Sequence, residues 1–525
     1  MVECNLPCKI RDKASMPAEI KMMCSRLPAL PKLGWIARLD PVRGKLRAYH
    51  GASVERGDGW LVEGVWGGDF ARGEFHRSES FFGSGIRVDG DRVHFVPSST
   101  TIDRLFWCRD GGEILVSNSL IILLAATGAV LDEAHDYHRE SLSILQGLRG
   151  CREKFRIVHP AISDFRQVFL ENIVASKDGV TYASRFRRHA FRSFDDYFGL
   201  LTETLARMRE NYEDPAREIP VKAFTTTSSG YDSTAVSCLA NRLGVKECFT
   251  ARQAYSMLPS WLPGGYAVDD GTPIAQRLGM HVHYLEAPEK IRAEDELHFL
   301  AIPYAKFSGL VLNETIFHSM ASHIERTCRA AVVFTGQYGG TIWSGKEGHE
   351  HLKGDISRSV TSGLNLAEIR LKSGFFNVAV PFLFAINTPD IIKICDSPEM
   401  APWRLNNGYE RPIARRIAED AGIPRDVFGQ HKKSVCNYFR YPNNPRLRRA
   451  FFEHLEKRYG VNCGWIYLGH GVNQAALFVQ KALTHLGVRS GGYNRLVFMK
   501  DLDMPFLMWI WSAGVLSRRL ARKIF

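Results

Sequence analysis

The fold of this chain is decided by residues 221–240, which read Val-Lys-Ala-Phe-Thr-Thr-Thr-Ser-Ser-Gly-Tyr-Asp-Ser-Thr-Ala-Val-Ser-Cys-Leu-Ala. The first seven residues are mostly β-branched or aromatic, a composition typical of a strand. From Ser233 onward the apolar residues Ala235, Val236 and Leu239 recur at helical spacing. The stretch therefore predicts a strand, a tight polar loop and a helix in direct succession.

The loop, residues 228–233, is suited to bind a phosphate group. Small residues let backbone N–H groups approach an anion closely, and the following helix directs its positive end at the same place. Asp232 in this turn is a suitable ligand for the Mg²⁺ that accompanies nucleotide phosphates. The alternative is an ordinary strand-to-helix turn with a serine N-cap. No Gly-Lys-Ser/Thr follows, so this is not a Walker loop.

The composition is that of a globular protein. The 525 residues are enough for two to three domains, and 45% are hydrophobic while 24% are charged. The 11 cysteines include no Cys-x-x-Cys pair, which argues against a zinc site or a disulfide framework at these cysteines and favours a reduced, cytoplasmic setting. The net charge of +12 suits anionic ligands such as ATP. Because no arginine-rich array is interleaved with aromatic residues, we expect no nucleic-acid partner.

The most apolar run lies near the end of the chain. Residues 504–516 number about thirteen, too few to span a bilayer, so we expect no transmembrane segment. No sequence of signal type opens the chain. The basic segment 517–523 follows the apolar run and leaves two interpretations open, a helix on a membrane surface or a buried helix with a solvated basic end. We favour the second.

Four segments are predicted along the chain, with regular structure beginning near Leu33. Short alternating runs from Gly34 to about Leu123, punctuated by Gly and Asp, indicate β-hairpins, and amphipathic runs at 445–459 and 472–486 indicate helices. The segments are an N-terminal extension over 1–30, a β-rich domain over 31–190, an ATP-binding domain over 191–445 that opens with a helix at 194–211, and a helical region over 446–525.

Three further strands are predicted in the third segment, at residues 247–251, 281–285 and 330–334. They alternate with helices, which predicts an α/β fold with a doubly wound parallel sheet and a ligand at the carboxyl ends of its strands. His281 and His283 lie on one face of the middle strand at period two. Such a pair can bind a metal, but without a third ligand nearby we favour a structural role.

Several motifs resemble those of a known family. Residues 228–233, Ser-Ser-Gly-Tyr-Asp-Ser, resemble the Ser-Gly-Gly-x-Asp-Ser pyrophosphate loop of ATP-pyrophosphatase enzymes and depart from it only at Ser229. Downstream, Thr335-Gly336 matches the Ser-Gly turn that ends a strand in asparagine synthetases. Residues 380–383, Val-Pro-Phe-Leu, match the family's Val-Pro-Phe-Leu-Asp but lack its aspartate.

The resemblance continues toward the C-terminus. Residues 409–418 occupy the place of the family's Lys-x-x-x-Arg helix, and Lys432 matches a lysine that the family directs at the reacting phosphates. The alternative for Lys432 and Lys433 is a pair of solvated lysines in a basic loop. Residues 106–120 faintly resemble the end of the family's glutaminase domain. Together these motifs make residues 31 to about 440 similar to the asparagine synthetase family.

The resemblance implies a fold and a reaction. The parallel sheet is expected to be of the ATP-pyrophosphatase type, adenine nucleotide alpha hydrolase-like, and the β-rich domain to be glutaminase-like, of the Ntn type. The implied activity is that of a ligase which adenylates a carboxylate with ATP and Mg²⁺, releases pyrophosphate and AMP, and forms an amide when an amine attacks.

The resemblance also implies roles for individual residues. Lys432, Gln337 and Arg411 are expected to be catalytic, and Asp232 is expected to hold Mg²⁺. Gln337 and Gly340 stand where the family has Glu and Asp, so both carboxylates of that turn are missing, in addition to the aspartate after residue 383. The residues expected to contact ATP are Thr226, Ser228, Ser229, Gly230, Asp232, Ser233, Ala251, Thr335 and Gly336.

We expect the glutaminase nucleophile of the family to be missing. That nucleophile is a cysteine exposed by removal of the initiator methionine, whereas here residue 2 is Val2, Cys4 would need further trimming, and Cys24 has no recognisable processing context. We therefore expect an amine donor other than self-generated ammonia, which leaves free ammonia, a partner or the substrate itself. The sequence does not identify the small-molecule or peptide carboxylate, and it leaves open whether the chain forms homo-oligomers.

Two other classes of function stay open. One is a catalytically silent nucleotide-binding or scaffold relative that kept the fold after losing the carboxylates. The other is hydrolase or thiol chemistry at the loop.

Overall fold

The fold is described from a computed structural model. The described residues are 19–137, 139, 140, 143–151, 153–162, 164–254, 267–285, 291–301, 311–313, 317–345, 363, 366–405, 409–430, 437–439, 441–468, 472, 479 and 504–524. Val2, Cys4, Lys432, Lys433 and most of the predicted helix at 472–486 lie outside these residues.

The N-terminal region contains two six-stranded sheets that face each other. In spatial order, the first sheet contains β1 (Lys21–Arg26), β3 (Lys45–His50), β2 (Trp35–Asp40), β9 (Glu113–Ser117), β8 (Leu105–Asp110) and β10 (Phe165–Val168). The second contains β12 (Gly179–Ala183), β11 (Asn172–Ser176), β7 (Arg92–Val96), β6 (Phe81–Asp89), β5 (Trp60–Trp66) and β4 (Glu55–Gly57). Inward side chains of both sheets share one core, in which the rings of Trp35 and Phe95 stack with centroids 6.5 Å apart. The prediction of a β-rich N-terminal region is confirmed.

Strand β1 begins earlier than the sequence analysis expected. It pairs in parallel with β3 at the edge of the first sheet, so the prediction that regular structure begins near Leu33 is wrong. Ile20 is buried, and Met22 and Cys24 pack against the same core at a spacing of two residues. The neighbouring Met23 hides this alternation in the sequence, because it is apolar yet exposed.

A second region contains a sheet of five strands that are all parallel. Its spatial order is β17 (His281–Tyr284), β14 (Glu247–Thr250), β13 (Val221–Thr226), β19 (Ala330–Thr335) and β20 (Phe375–Ala379). Alternate residues of β19 enter different cores, with Val332 and Phe334 on one face and Ala331 and Val333 on the other. The predicted α/β class and the parallel sheet are thus confirmed. Two short antiparallel pairs join β15 (Gln253–Ala254) to β16 (Ala267–Val268) and β18 (Val311–Asn313) to β21 (Asn437–Phe439).

Helices cover both faces of this sheet. The helices of the described chain are α1 (Leu120–Thr127), α2 (Phe194–Tyr212), α3 (Tyr231–Arg242), α4 (Thr272–Arg277), α5 (Ala293–Leu300), α6 (His318–Thr327), α7 (Gly339–Ile342), α8 (Leu366–Ser373), α9 (Thr388–Cys395), α10 (Pro412–Asp420), α11 (Pro445–Tyr459) and α12 (Met504–Ile524). Helices α2, α3 and α10 contribute to the core on one face, and α5, α6 and α8 to the core on the other.

Helix α12 packs against α1 in a separate core. Its residues Met508, Trp509 and Ala513 are buried there, whereas Arg518 and Arg519 are exposed. The interpretation as a buried helix with a solvated basic end is therefore confirmed. None of the helices in the described part of the chain combines the length and the apolar composition needed to cross a bilayer.

A buried ion network joins the two regions. Arg370 of α8 donates two hydrogen bonds to Glu63 of β5, at 2.7 and 3.0 Å, and a third to Asp103 at 3.0 Å. Nearby, Ser119 donates to Glu368 of the same helix at 2.8 Å. Because α8 also carries Leu366, which lines the cavity described next, the β-rich region helps to position one wall of that cavity.

Candidate functional site

A cavity opens at the carboxyl ends of β13, β14 and β19, where ligands bind to open parallel sheets. Its volume is about 280 Å³. Its polar lining combines the end of β13, the start of α3 and the turn after β19, and consists of Thr226, Thr227, Ser228, Gly230, Asp232, Ser233, Asp269, Thr335, Gly336, Gln337 and Asn377. Its apolar and aromatic lining consists of Tyr231, Phe249, Ala251, Leu285, Phe317, Met320, Leu366, Phe375 and Tyr409.

Hydrogen bonds between small side chains hold the loop before α3. The hydroxyl oxygens of Ser228 and Ser233 lie 2.7 Å apart, and Thr234 donates to the carbonyl of Gly230 at 2.6 Å. Gly230 is the N-cap of α3 and gives no side-chain capping bond, so the alternative of a serine N-cap is wrong. The positive end of the helix therefore faces the cavity without a side-chain cap.

The backbone N–H of Gly230, one of the residues expected to contact ATP, already donates a hydrogen bond within the loop. The N–H of Gly230 donates to the hydroxyl of Ser228 at 3.2 Å. The helix also begins at Tyr231 rather than Ser233, because Gly230 rather than a serine provides the cap. The N–H groups of the first helical turn are therefore the donors that this end offers to an anion.

Asp232 carries an oxygen that the protein leaves unsatisfied. The residue lies in the first turn of α3, and its Oδ1 is buried without a hydrogen-bond partner among the described residues. Burial raises the pKa of Asp232 to about 6, while the Arg411 guanidinium acts in the opposite direction. A buried, unsatisfied carboxylate oxygen costs free energy that a bound cation recovers.

Two glycines allow the turn after β19 to approach this carboxylate. A Cβ on Gly339 would lie 2.2 Å from Cγ of Asp232, and one on Gly336 would lie 2.7 Å from the backbone nitrogen of Ser233. The intervening Tyr338 has a left-handed φ of 69°, which a tyrosine rarely adopts. The turn is therefore packed tightly against the first turn of α3.

Arg411 occupies the region near Gly340. A Cβ on Gly340 would lie 3.3 Å from Nη2 of Arg411, and the Nε of that arginine is buried without a hydrogen-bond partner among the described residues. The guanidinium also interacts electrostatically with Asp232. The Arg411 cation thus lies close to Gly340, the position at which the similar family has an aspartate.

Gln337 belongs to a polar network that the sequence analysis missed. Asn377 of β20 donates to Oε1 of Gln337 at 2.8 Å, and Thr335 donates to Oδ1 of Asn377 at 2.9 Å. The sequence feature that could have indicated this network is the single asparagine in the otherwise apolar run Phe-Phe-Asn-Val-Ala of β20. Asp269 was also not predicted as a site residue from the sequence. In the structure it accepts a hydrogen bond from Ser229 at 3.1 Å.

The structure brings most of the predicted site residues together. Eight of them line the cavity, namely Thr226, Ser228, Gly230, Asp232, Ser233, Ala251, Thr335 and Gly336. Gln337 lines it as well. Ser229 is adjacent in the loop, and Arg411 lies behind the lining, next to Gly340. Lys432 is outside the described residues, but Gly429, three positions earlier, donates to the carbonyl of Ser229 at 2.8 Å.

The lining is compatible with Mg²⁺ held by few protein ligands. Mg²⁺ beside nucleotide phosphates is bound by one or two carboxylates, with phosphate oxygens and water completing its shell. Asp232 and Asp269 are the two carboxylates of the lining, and Oδ1 of Asp232 is the unsatisfied oxygen. The cavity thus combines a helix N-terminus, a carboxylate and an apolar wall, an arrangement that suits a ligand with a phosphate chain and a flat ring.

No protein-family model matches the sequence, and no curated protein matches it at a significant level.

Proposed function

We propose that this chain is an ATP-dependent, amide-forming ligase similar to asparagine synthetases but without glutaminase activity of its own. The observation that carries this proposal is the arrangement of Asp232 and the N-terminus of α3, which lacks a side-chain cap, beside an apolar wall at the ends of parallel strands. Phosphates bind at helix N-termini, and an apolar wall suits the adenine ring.

The architecture supports the finer fold assignment. A parallel sheet ordered β17-β14-β13-β19-β20, with helices on both faces, is compatible with a doubly wound ATP-pyrophosphatase fold of the adenine nucleotide alpha hydrolase-like type. Two facing six-stranded sheets are compatible with a glutaminase-like domain of the Ntn type. The eight cysteines of the described chain are free, as suits a reduced cytoplasmic setting.

The proposed chemistry follows from the charges of the site. A carboxylate oxygen of the substrate attacks the α-phosphorus of ATP, the bond to the bridging oxygen breaks, and its electron pair leaves with pyrophosphate. N–H groups of the first turn of α3 and the ammonium of Lys432 neutralise the charge that develops on the phosphate oxygens. Asp232 would hold Mg²⁺, which supplies further neutralisation when bound. Thr226 and Ala251, at strand exits, offer backbone groups to adenine, and Thr335 and Gly336 contact the ribose or the adenine.

In the second half-reaction an amine nitrogen attacks the acyl carbon, AMP leaves with the electron pair of the cleaved bond, and the nitrogen gives up a proton.

Cys24 lies inside β1 rather than at a chain end, and burial raises the pKa of its thiol, both of which disfavour a role as a glutaminase nucleophile. The amine therefore comes from free ammonia, a partner or the substrate itself. Gln337, held by Asn377, acts through hydrogen bonds where a carboxylate would act through charge.

One observation favours the second candidate, a catalytically silent nucleotide-binding relative. The Arg411 guanidinium lies beside Gly340 and interacts with Asp232, so a fixed cation already offsets part of the charge that a metal would neutralise. An arginine can bind phosphate but cannot serve as a Lewis acid.

Calorimetric titration with Mg-ATP tests the shared part of both candidates. Asp232→Asn should weaken binding by roughly ten- to hundredfold, equal to about 1.5–3 kcal/mol for a lost charge-assisted contact. The matched control is Asp390→Asn, which changes another first-turn aspartate, in α9, away from the cavity. Equal affinity of wild type and Asp232→Asn would show that the loop is structural.

Formation of AMP and pyrophosphate separates the ligase from the silent relative. Wild-type protein is incubated with Mg-ATP and pools of carboxylates and amines, and Lys432→Ala is assayed in parallel. The ligase predicts AMP formation that falls about a hundredfold or more in the variant while ATP affinity is nearly unchanged, because the contact strengthens only as charge develops. Binding of Mg-ATP without AMP formation in any pool favours the silent relative.

A further inference from the structure

Three potential metal ligands meet at the outer edge of the parallel sheet, away from the loop before α3. Glu247 lies on β14, His283 on the edge strand β17, and His323 on α6. One donor atom from each residue lies within 4.8 Å of the other two. Among the described residues this is the one group of three or more such donors that approach so closely.

The geometry within this cluster is well defined. Nε2 of His283 lies 2.8 Å from Oε2 of Glu247, and the rings of His283 and His323 have centroids 4.3 Å apart. The second carboxylate oxygen of Glu247 accepts from Lys222 of β13 at 2.6 Å. Lys222 therefore orients the carboxylate with its other oxygen toward the histidines, as outer-shell partners of metal ligands do.

A cleft beside the cluster leaves room for further ligands. It has a volume of about 340 Å³ and is lined by His283 and His323 together with Ser319 and Ser322 of α6. Water molecules in such a cleft can complete the shell of an ion that has three protein ligands. The cluster is thus partly open to solvent.

We propose that Glu247, His283 and His323 bind a divalent transition-metal ion of the Zn²⁺ class, with one coordination position left to water. Two imidazoles and one carboxylate are ligands that Zn²⁺ accepts, whereas Mg²⁺ and Ca²⁺ prefer oxygen ligands alone. On binding, the ion takes the place of the hydrogen between Nε2 of His283 and Glu247, and His283 binds it as the neutral imidazole that carries its hydrogen on Nδ1. Their donor atoms would move apart from 2.8 Å to about 3.4 Å, the edge of a tetrahedron with bonds near 2.1 Å.

The ion would join three elements that the sequence separates. It would tie α6 to the edge of the sheet, and α6 begins next to Phe317 and contains Met320, which both line the nucleotide cavity. In the sequence His281 and His283 lie at period two, and no third ligand is near them. The structure instead supplies Glu247 from the neighbouring strand and His323 from the helix.

The test uses the full-length chain after treatment with a chelator and dialysis. Zn²⁺ is titrated calorimetrically, and bound metal is counted by elemental analysis. We expect one equivalent of Zn²⁺ whose affinity falls about a hundredfold or more in His283→Gln and in His323→Gln, since loss of even outer-shell partners costs ten- to hundredfold. The control is His189→Gln, which removes a histidine–carboxylate pair of similar geometry, 2.7 Å from Glu79, in another part of the fold.

A second measurement keeps the proposal testable if a variant is unstable. Co²⁺ replaces Zn²⁺, and visible absorption of wild type and the His189→Gln control should show the intense bands of tetrahedral coordination, which both cluster variants lose. Circular dichroism in chelator checks that each variant is folded. The proposal is overturned if wild type binds no stoichiometric Zn²⁺, or if folded His323→Gln binds it as tightly as wild type. In that case the cluster is a hydrogen-bonded histidine–glutamate pair with a neighbouring ring.

Discussion

Replacement of Arg370 by methionine should be among the most destabilising single changes in the chain. The guanidinium is about 1% exposed, and its carboxylate partners Glu63 and Asp103 are about 1% and 5% exposed. Methionine fills similar volume but leaves two buried carboxylates without their cation. Removing one partner of a buried ion pair typically costs about 3–5 kcal/mol, and we expect a loss in that range.

The loss should depend on pH in a defined direction. Burial raises the pKa of Glu63, and Arg370 opposes this effect. Without Arg370 the folded-state pKa of Glu63 rises further above its unfolded value. A carboxyl group of this kind favours the folded state below its unfolded pKa, and that contribution is lost as pH rises through its folded pKa. The variant should therefore be closest to wild type in mild acid and furthest from it near pH 8.

Denaturant unfolding followed by near-ultraviolet circular dichroism, at about pH 5 and pH 8, measures both effects. The matched control is Arg38→Met, because Arg38 also pairs with a carboxylate, Glu113 at 2.8 Å, but is about one-third exposed. That change should cost no more than about 1 kcal/mol. Adding Glu63→Gln to Arg370→Met should recover part of the loss. If Arg370→Met costs no more than Arg38→Met, the argument from buried charge is refuted.

Three further outcomes are expected, two at the cavity beside Asp232 and one in the N-terminal region. Mg-ATP affinity should fall as pH drops through about 6, because protonated Asp232 cannot bind a cation; calorimetry at pH 5 to 8 checks this, and an unchanged slope in Asp232→Asn would contradict it. Gly339→Ala should weaken Mg-ATP binding at least tenfold, because the new methyl group meets the Asp232 carboxylate at 2.2 Å; Gly199→Ala, which meets nothing within 4 Å, is the control for the same titration. Incubation with glutamine should release no glutamate, and release that disappears in Cys4→Ala or in Cys24→Ala would show that processing creates a glutaminase nucleophile.

The local order of strands and loops was predictable because it depends on neighbouring residues. The strand predicted from Val221 ends at Thr226, one residue early, and the strands predicted at 247, 281 and 330 begin at those residues. Such segments are short apolar runs bounded by turn residues, and the pattern alone indicates them. The residues that line the cavity were predictable from the same strands, because the ends of adjacent parallel strands meet at one edge of the sheet.

What could not be predicted depends on contacts between distant parts of the chain. Arg411 reaches Gly340 across about seventy residues of sequence, and no pattern near either residue indicates this approach. His323 joins His283 only because α6 packs against the sheet edge at a particular register. Arg370 of α8 likewise pairs with Glu63 of β5, which is about three hundred residues away in the sequence.

Phe249 lies between the cavity at the ends of β13, β14 and β19 and the cleft beside His283 and His323, and it contributes to the walls of both. Its ring is about 2% exposed, and its centroid lies 5.4 Å from that of His283 and 5.5 Å from that of His323. A displacement of this ring by a ligand on one side changes the space available on the other. Thermodynamic linkage then requires reciprocity: whatever factor a nucleotide applies to the affinity for a metal ion, the metal ion applies to the affinity for the nucleotide.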